Sequence, residues 1–229
     1  MRLFSNIIFP MALACSCLPV VEAAVAASER GTDTTAFYEV PMMCPAARGV
    51  GCGSVAKPVL LALEKASAVE EAWLDHKGQV LAVIWMSCSA AGDRAATLAA
   101  ITEEHGVSMG ELSGPARQTA LQSFLASKGW HRGAEVDRLS EEEAHVVADR
   151  FLVRLITTVP TARSKVESLR PIVTDATRHL LVETDLSDVS RSEYREKLLA
   201  AARQHLNERE LSALRDAIAL GLRPVGDEH

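Results

Sequence analysis

The chain has 229 residues, of which 48% are hydrophobic and 24% charged, as expected of a folded protein with one large domain or two small ones. Its formal net charge is −6, whereas nucleic-acid binding usually requires a basic face. Aromatic residues make up only 4% of the chain, too few to supply stacking platforms for bases. We therefore expect no nucleic-acid partner.

Residues 1–26 have the pattern of a secretory signal peptide. A positive start at Met1-Arg2 is followed by an interrupted apolar run and then by small residues that fit an A-x-A-like cleavage site. The alternative is a lipoprotein signal in which Cys15 carries the lipid. We expect a periplasmic or secreted protein whose mature chain has a flexible lead-in over residues 27–36 and no transmembrane segment.

Export changes the count of cysteines. The sequence contains 5 cysteines, and Cys15 and Cys17 would leave with the signal peptide. The mature chain would then hold Cys44, Cys52 and Cys88. An odd number of cysteines in an oxidising compartment leaves at least one thiol that no internal disulfide satisfies. The three thiols are therefore the first candidates for a functional site.

The segment 37–113 is predicted to be a ferredoxin-like βαββαβ domain. Alternating and apolar runs predict the strands, and apolar residues at helical spacing predict the helices. The strands are expected over 37–42, 69–75, 80–85 and 107–112, and the helices over 55–66 and 93–105. We expect the first and third strands to be parallel neighbours in the centre of the sheet.

This expected topology would bring three thiols together. Cys44 follows the first predicted strand, and Cys88 follows the third. If those strands were parallel neighbours, both cysteines would lie at one edge of the sheet. Cys52 lies where a helix begins, and the helix dipole with its free N–H groups favours a thiolate there. The sequence therefore predicts a metal site formed by Cys44, Cys52 and Cys88, because thiolates bind soft metals.

The segment 114–229 is predicted to be an all-α helical domain, which makes the expected fold class α+β. Amphipathic periodicity predicts four or five helices, several of which open with N-cap signatures such as Ser140-x-x-Glu143 and Asn207-x-x-Glu210. Helix capping and the helix dipole account for the acidic run Glu141–Glu143. The segment contains no cysteine, and we find no catalytic motif in it.

The first domain resembles the heavy-metal-associated domain family, which includes copper metallochaperones and the periplasmic mercury-binding protein. The resemblance lies in Met42-x-Cys44, a second cysteine that opens a helix, Leu60-x-x-Leu63-Glu64 and the Val80–Val83 strand. It implies that Cys44 and Cys52 are the metal-binding pair and that Met42 packs beneath their loop. The family separates its two cysteines by two residues, whereas seven intervene here. This longer loop, with Cys88 in addition, indicates a three-thiolate site suited to Hg(II) or Cu(I), and less to Zn(II).

The leading functional hypothesis is an exported, non-enzymatic binder or carrier of a thiophilic metal ion, with a role in metal resistance or trafficking. A metal-donor or metal-acceptor protein would dock near the cysteine loop, and the helical domain would dock that partner or form a homodimer. Two alternatives stay open. One is a thiol–disulfide redox protein in which Cys52 attacks, and the other is a structural interaction module with a Cys44–Cys52 disulfide.

Overall fold

The computed structural model describes residues 34–183 and 188–226. The signal peptide predicted over residues 1–26, Cys15 with it, and most of the lead-in predicted over residues 27–36 lie outside the described residues. The unit from Thr34 to His229 is compact and contains both helices and a sheet, so the predicted α+β class is confirmed. The domain boundary expected at residue 113 stays a prediction.

The described residues form five strands and seven α-helices. The strands are β1 Thr35–Glu39, β2 Val69–Asp75, β3 Val80–Trp85, β4 Gly110–Glu111 and β5 Trp130–His131. The helices are α1 Gly53–Lys65, α2 Ala91–His105, α3 Gly114–Leu125, α4 Asp137–Thr158, α5 Val166–Glu183, α6 Asp188–Ala202 and α7 Glu208–Ala219, with a 3-10 helix at Pro160–Lys165. β2 and β3 have the predicted bounds. β5 was not predicted and lies in the segment expected to be all-helical.

The strands form one antiparallel sheet in the order β4-β1-β3-β2-β5. Thr35 of β1 lies opposite Ile84 of β3, and Glu39 lies opposite Val80, so the two strands run in opposite directions. The expectation that they are parallel was wrong. β2 and β3 are joined by a tight turn and must be antiparallel, and the crossover through α1 returns the chain so that β1 and β2 run the same way. β3 lies between them and is antiparallel to both.

Both faces of the sheet are covered. Tyr38 and Leu81 lie in the larger buried cluster, which includes residues of α1 and of the helices after residue 136. On the opposite face, Phe37 packs against Phe124 of α3 and Trp130 of β5, with ring centroids 5.9 and 6.3 Å apart. This assignment of neighbouring residues to opposite faces follows the two-residue period of a strand.

Helix α4 joins the sheet layer to the remaining helices. It packs on α1, α5 and α7, and its buried positions include Val147, Phe151 and Leu155. The helix begins at Asp137, so Ser140 is a buried interior residue rather than the expected N-cap. The side chain of Asp137 pairs with Lys57 of α1 at 2.6 Å. The N-terminal ends of α1 and α4 are thereby held side by side. None of the helices in the described part of the chain has the length and apolar character that a membrane span needs.

Replacing Gly53 by alanine is expected to lower the free energy of unfolding by about 1–3 kcal/mol, the usual cost of overpacking. A Cβ at this position would lie 2.2 Å from Ser140 Oγ and 2.9 Å from the carbonyl oxygen of Val136. The serine hydroxyl can rotate, but the carbonyl belongs to the backbone of the residue that caps α4, so the start of α4 must move. Urea denaturation would measure the change.

Gly92→Ala is the matched control, because Gly92 lies in helix α2 and a Cβ there would meet nothing within 4 Å. Alanine should stabilise that helix by up to about 1 kcal/mol. Equal stability of the Gly53 and Gly92 variants would contradict the close contact between α1 and α4.

Candidate metal centre

The two cysteines that flank the long spacer lie at the base of a closed loop, Met42–Cys52, called here the Cys loop. The Cys44 N–H donates to the carbonyl of Val50 at 2.8 Å, and the Cys52 N–H donates to the carbonyl of Met42 at 2.7 Å. Met43 and Gly51 form an antiparallel bridge between these bonds. The loop thus closes as a short hairpin, which brings its first and last residues together despite the seven residues between the cysteines.

The Cys loop rests on the turn between β2 and β3. The Gly51 N–H donates to the carbonyl of His76 at 2.7 Å, and the Met42 N–H donates to the carbonyl of Gly78 at 2.9 Å. Gly78 has a φ of +69°, and a Cβ there would lie 2.3 Å from the Met42 carbonyl oxygen. A glycine is therefore required in this turn for the loop to approach so closely.

Each sulfur atom has donors directed at it. Cys44 Sγ accepts hydrogen bonds from the backbone N–H groups of Ala46 and Ala47, at 3.2 and 3.3 Å. Cys52 is the N-cap residue of α1, and its Sγ lies 3.3 Å from Ser54 Oγ. Donors of this kind stabilise a thiolate, and the positive end of the helix dipole adds to the effect at Cys52. Both cysteines are buried free thiols.

Glu143 of α4 completes the group. Ligand atoms of Cys44, Cys52 and Glu143 all lie within 4.8 Å of one another, and all three residues are buried. The carboxyl group of Glu143 interacts with the Cys44 thiol, while its Oε2 atom is buried and has no hydrogen-bond partner among the described residues. We treat these three residues as the candidate metal centre. In the sequence, helix capping accounts for Glu143, and the capping pattern does not indicate that this residue belongs to a metal centre.

The three groups perturb each other's protonation. The hydrogen bond from the Cys44 thiol, followed by contributions from Ser54, lowers the pKa of Cys52 to about 6 despite its burial. The same hydrogen bond to Cys52, followed by burial and by Glu143, raises the pKa of Cys44 above its usual range. Burial, and then the charge of Cys52, raises the pKa of Glu143 to about 7. Without a cation, the centre therefore holds one thiolate readily and resists further negative charge.

Cys88, the third predicted ligand, lies elsewhere. Because β1 and β3 are antiparallel, Cys44 follows β1 at the end of the sheet where β3 begins, and Cys88 follows β3 at the opposite end. The six residues of β3 separate these ends by about 17 Å at ~3.3 Å per residue. Cys88 is exposed and borders a shallow depression with Ala68 and Asp93. The structure brings Cys44 and Cys52 together and does not bring Cys88 to them.

Cys52 should react with a small alkylating reagent in its thiolate form near neutral pH. In a Cys88→Ser background, we expect the rate of carbamidomethylation by iodoacetamide to rise with a midpoint near pH 6, since the pKa of Cys52 is lowered to about 6. A small reagent is needed because the residue is only 8% exposed. Mass spectrometry of peptides after timed quenching would give the rate at each pH.

The companion variant is Cys44→Ala, which removes the largest cause of the lowered pKa of Cys52. The midpoint should move upward in that variant. A midpoint above pH 8 in both proteins would contradict the thiolate assigned to Cys52.

The centre combines two soft sulfur ligands with one hard oxygen ligand in a buried site. Soft sulfur donors favour thiophilic ions, and the carboxylate adds a third ligand together with negative charge. Among the ion pairs of residues 34–183 and 188–226, no cationic side chain pairs with Glu143.

Comparison of the chain with family models, with curated proteins and with solved structures found no match in any of the three.

Proposed function

We propose that this protein binds and carries a thiophilic metal ion of the Hg(II) or Cu(I) class, with Cys44, Cys52 and Glu143 as its ligands. The observation that carries the proposal is the buried group itself, whose ligand atoms lie within 4.8 Å of one another. The Oε2 atom of Glu143 is buried without a partner among the described residues, as expected of an atom that awaits a ligand. This donor set replaces the three-thiolate site expected from the sequence.

Charge balance also supports a cation. Two thiolates and a carboxylate would place three negative charges in a buried site, and buried charges are ordinarily paired or bound to metals. The raised pKa values of Cys44 and Glu143 reflect this repulsion. A bound cation would remove it and displace the remaining protons, so that metal binding and proton release are coupled. The N–H groups of Ala46 and Ala47 would then stabilise the Cys44 thiolate.

Transfer of the ion would begin at Cys52. Its exposed fraction is 8%, whereas that of Cys44 is 2%, so the sulfur of Cys52 is the more accessible to an incoming thiol. A thiol of a donor or acceptor protein that docks beside the Cys loop would replace one ligand at a time. Glu143 comes from α4, and a small shift of this helix would free one coordination position during the exchange.

The resemblance to the heavy-metal-associated domain family belongs to this proposal. We infer that residues 37–113 form a ferredoxin-like unit, which is supported by the strand order β4-β1-β3-β2 and by the helices that connect β1 to β2 and β3 to β4. Met42, which the resemblance places beneath the loop, is 1% exposed. The pattern of residues 1–26 supports export, so we propose that the protein acts in the periplasm or outside the cell.

Anaerobic native mass spectrometry of the reduced protein tests the proposal. The protein would be titrated with Hg(II), Cu(I) and Zn(II) in the presence of a competing dithiol, beside a Cys44→Ser/Cys52→Ser double variant. We expect one Hg(II) or Cu(I) ion retained per chain by the wild type and none by the double variant. The retained ion would identify the metal. Equal retention of these two ions by both proteins, or retention of neither by the wild type, would overturn the proposal.

A thiol–disulfide redox function is the second candidate, since the two sulfurs lie within 4.8 Å and the pKa values of their thiols are shifted in opposite directions. In this function the Cys52 thiolate would attack a disulfide, and Cys44 would resolve the mixed disulfide. A reductase assay with a dithiol would detect it. Turnover by the wild type and by Cys88→Ser, but not by Cys52→Ser, would favour this function over metal carriage.

A further inference from the structure

Three side chains of residue types that can bind metal ions lie near one another beside the turn that supports the Cys loop. His76 is in the turn between β2 and β3, His131 is in β5, and Glu142 is the residue before Glu143 in α4. The Nε2 atom of His76 lies 3.4 Å from Glu142 Oε2, and the ring centroids of His76 and His131 are 6.0 Å apart. Three segments distant in the sequence thus contribute one group each.

The distance between His76 and Glu142 already suits a shared ion, whereas the ligand atoms of all three side chains do not lie within 4.8 Å of one another. Two ligand atoms that each lie ~2 Å from a tetrahedral ion are about 3.3 Å apart, close to the distance between His76 and Glu142. Two imidazole rings that share such an ion have centroids about 5 Å apart, so the rings of His76 and His131 need to approach by only ~1 Å. The third ligand is available, because His131 Nε2 is buried and has no hydrogen-bond partner within the described part of the chain.

The backbone holds both histidines in place. The His76 N–H donates to the carbonyl of Gly129 at 2.6 Å, and the His76 carbonyl accepts from the Gly51 N–H at 2.7 Å. His131 lies opposite Leu74 in the pairing of β5 with β2. With the backbone of both histidines fixed in this way, the three groups would approach one point by rotation of their side chains.

We propose that His76, His131 and Glu142 bind a divalent cation of intermediate softness, such as Zn(II) or Ni(II). Two imidazoles and a carboxylate favour these ions, whereas the thiols of the buried centre favour softer ones. This second site has no ligand in common with the buried centre and does not depend on its function. A bound ion would join the turn that supports the Cys loop to the helix that supplies Glu143.

Isothermal titration with Zn(II) in a Cys44→Ser/Cys52→Ser/Cys88→Ser background tests the second site without any thiol. We expect one ion per chain, and affinity lowered at least about tenfold by His76→Ala, His131→Ala or Glu142→Gln. His145→Ala is the matched control, since His145 is exposed on the same helix as Glu142. That control should bind like its parent. The absence of binding, or equal binding after His131→Ala, would overturn the proposal and leave His76 and Glu142 as a surface ion pair.

A second measurement uses the wild type and covers the case in which the thiol-free variant fails to fold. The imidazole resonances of the protein would be followed by NMR during Zn(II) addition. We expect the signals of His76 and His131 to shift together over the same part of the titration while that of His145 stays in place. A shift of His76 alone, or equal shifts of all three, would contradict a shared ion.

Discussion

Cys44→Ser and Cys52→Ser are each expected to weaken the binding of the thiophilic ion by about 10²–10³-fold. Structural metal sites with four ligands contribute about 10–16 kcal/mol, or roughly 2.5–4 kcal/mol per ligand, and serine is a poor ligand for a soft ion. Either variant leaves one sulfur and one carboxylate of the candidate metal centre. Competition against a dithiol of known affinity would measure the loss.

Cys88→Ser is the matched control for both variants. Cys88 is exposed and follows the far end of β3, so its replacement should leave the affinity within about twofold of the wild type. If Cys88→Ser instead weakened binding as much as Cys44→Ser, the centre formed with Glu143 would be wrong and the three-thiolate site would stand.

Glu143→Gln is expected to stabilise the metal-free protein at pH 8 by up to about 3 kcal/mol. The pKa of Glu143 is raised from 4.5 to about 7 in the folded protein, chiefly by burial. Between these two values the folded state binds more protons than the unfolded state, so the wild type loses stability as the pH rises through this window. Glutamine does not ionise, so the variant does not lose stability as the pH rises through this window. Urea denaturation at pH 4.5 and pH 8, under reducing and metal-free conditions, would measure the difference.

The same variant should bind the metal more weakly, by at least about tenfold, because a neutral amide replaces a negatively charged ligand. Stability and affinity would therefore change in opposite directions, which separates a ligand from a residue that only supports the fold. Glu141→Gln is the control, since Glu141 is exposed on the same helix and should change neither quantity appreciably. A Glu143→Gln variant that was less stable at pH 8 would contradict the assignment.

The sequence predicted the strands and helices around the site more accurately than it predicted the relative directions of the strands. The alternating and apolar runs gave β2 and β3 their bounds, and Cys52 was correctly expected at the start of a helix. The predicted direction of β1 relative to β3 was wrong. Hydrophobic periodicity reports which face a residue occupies and not which way a neighbouring strand runs, whereas the turn between β2 and β3 and the crossover through α1 together require β1 and β3 to be antiparallel. The prediction that Cys88 lies beside Cys44 depended on that direction.

Glu143 could have been found from the sequence. It precedes Val147, Phe151 and Leu155 at steps of four, so it continues the apolar stripe of α4 into the buried surface. A carboxylate on such a stripe requires a partner. Helix capping also accounts for the acidic run, so the position of Glu143 on the apolar stripe was not recognised as unusual. No pattern within α4 indicates that the partners of Glu143 are sulfur atoms near the start of α1. That contact depends on Gly53 and on the packing of α1 against α4.

The closed base of the Cys loop changes how sites of this kind should be sought in other proteins. Backbone hydrogen bonds across the base hold both sulfurs, while Gly49 at the tip has nothing within 4 Å of a Cβ. The exposed tip at Arg48-Gly49 can therefore lengthen without moving the sulfurs, so the spacing of two residues is not required between the cysteines of such a site. A search pattern should pair a cysteine after a strand with one that opens a helix, and should require a glycine in the next hairpin turn and a carboxylate on the apolar face of a later helix.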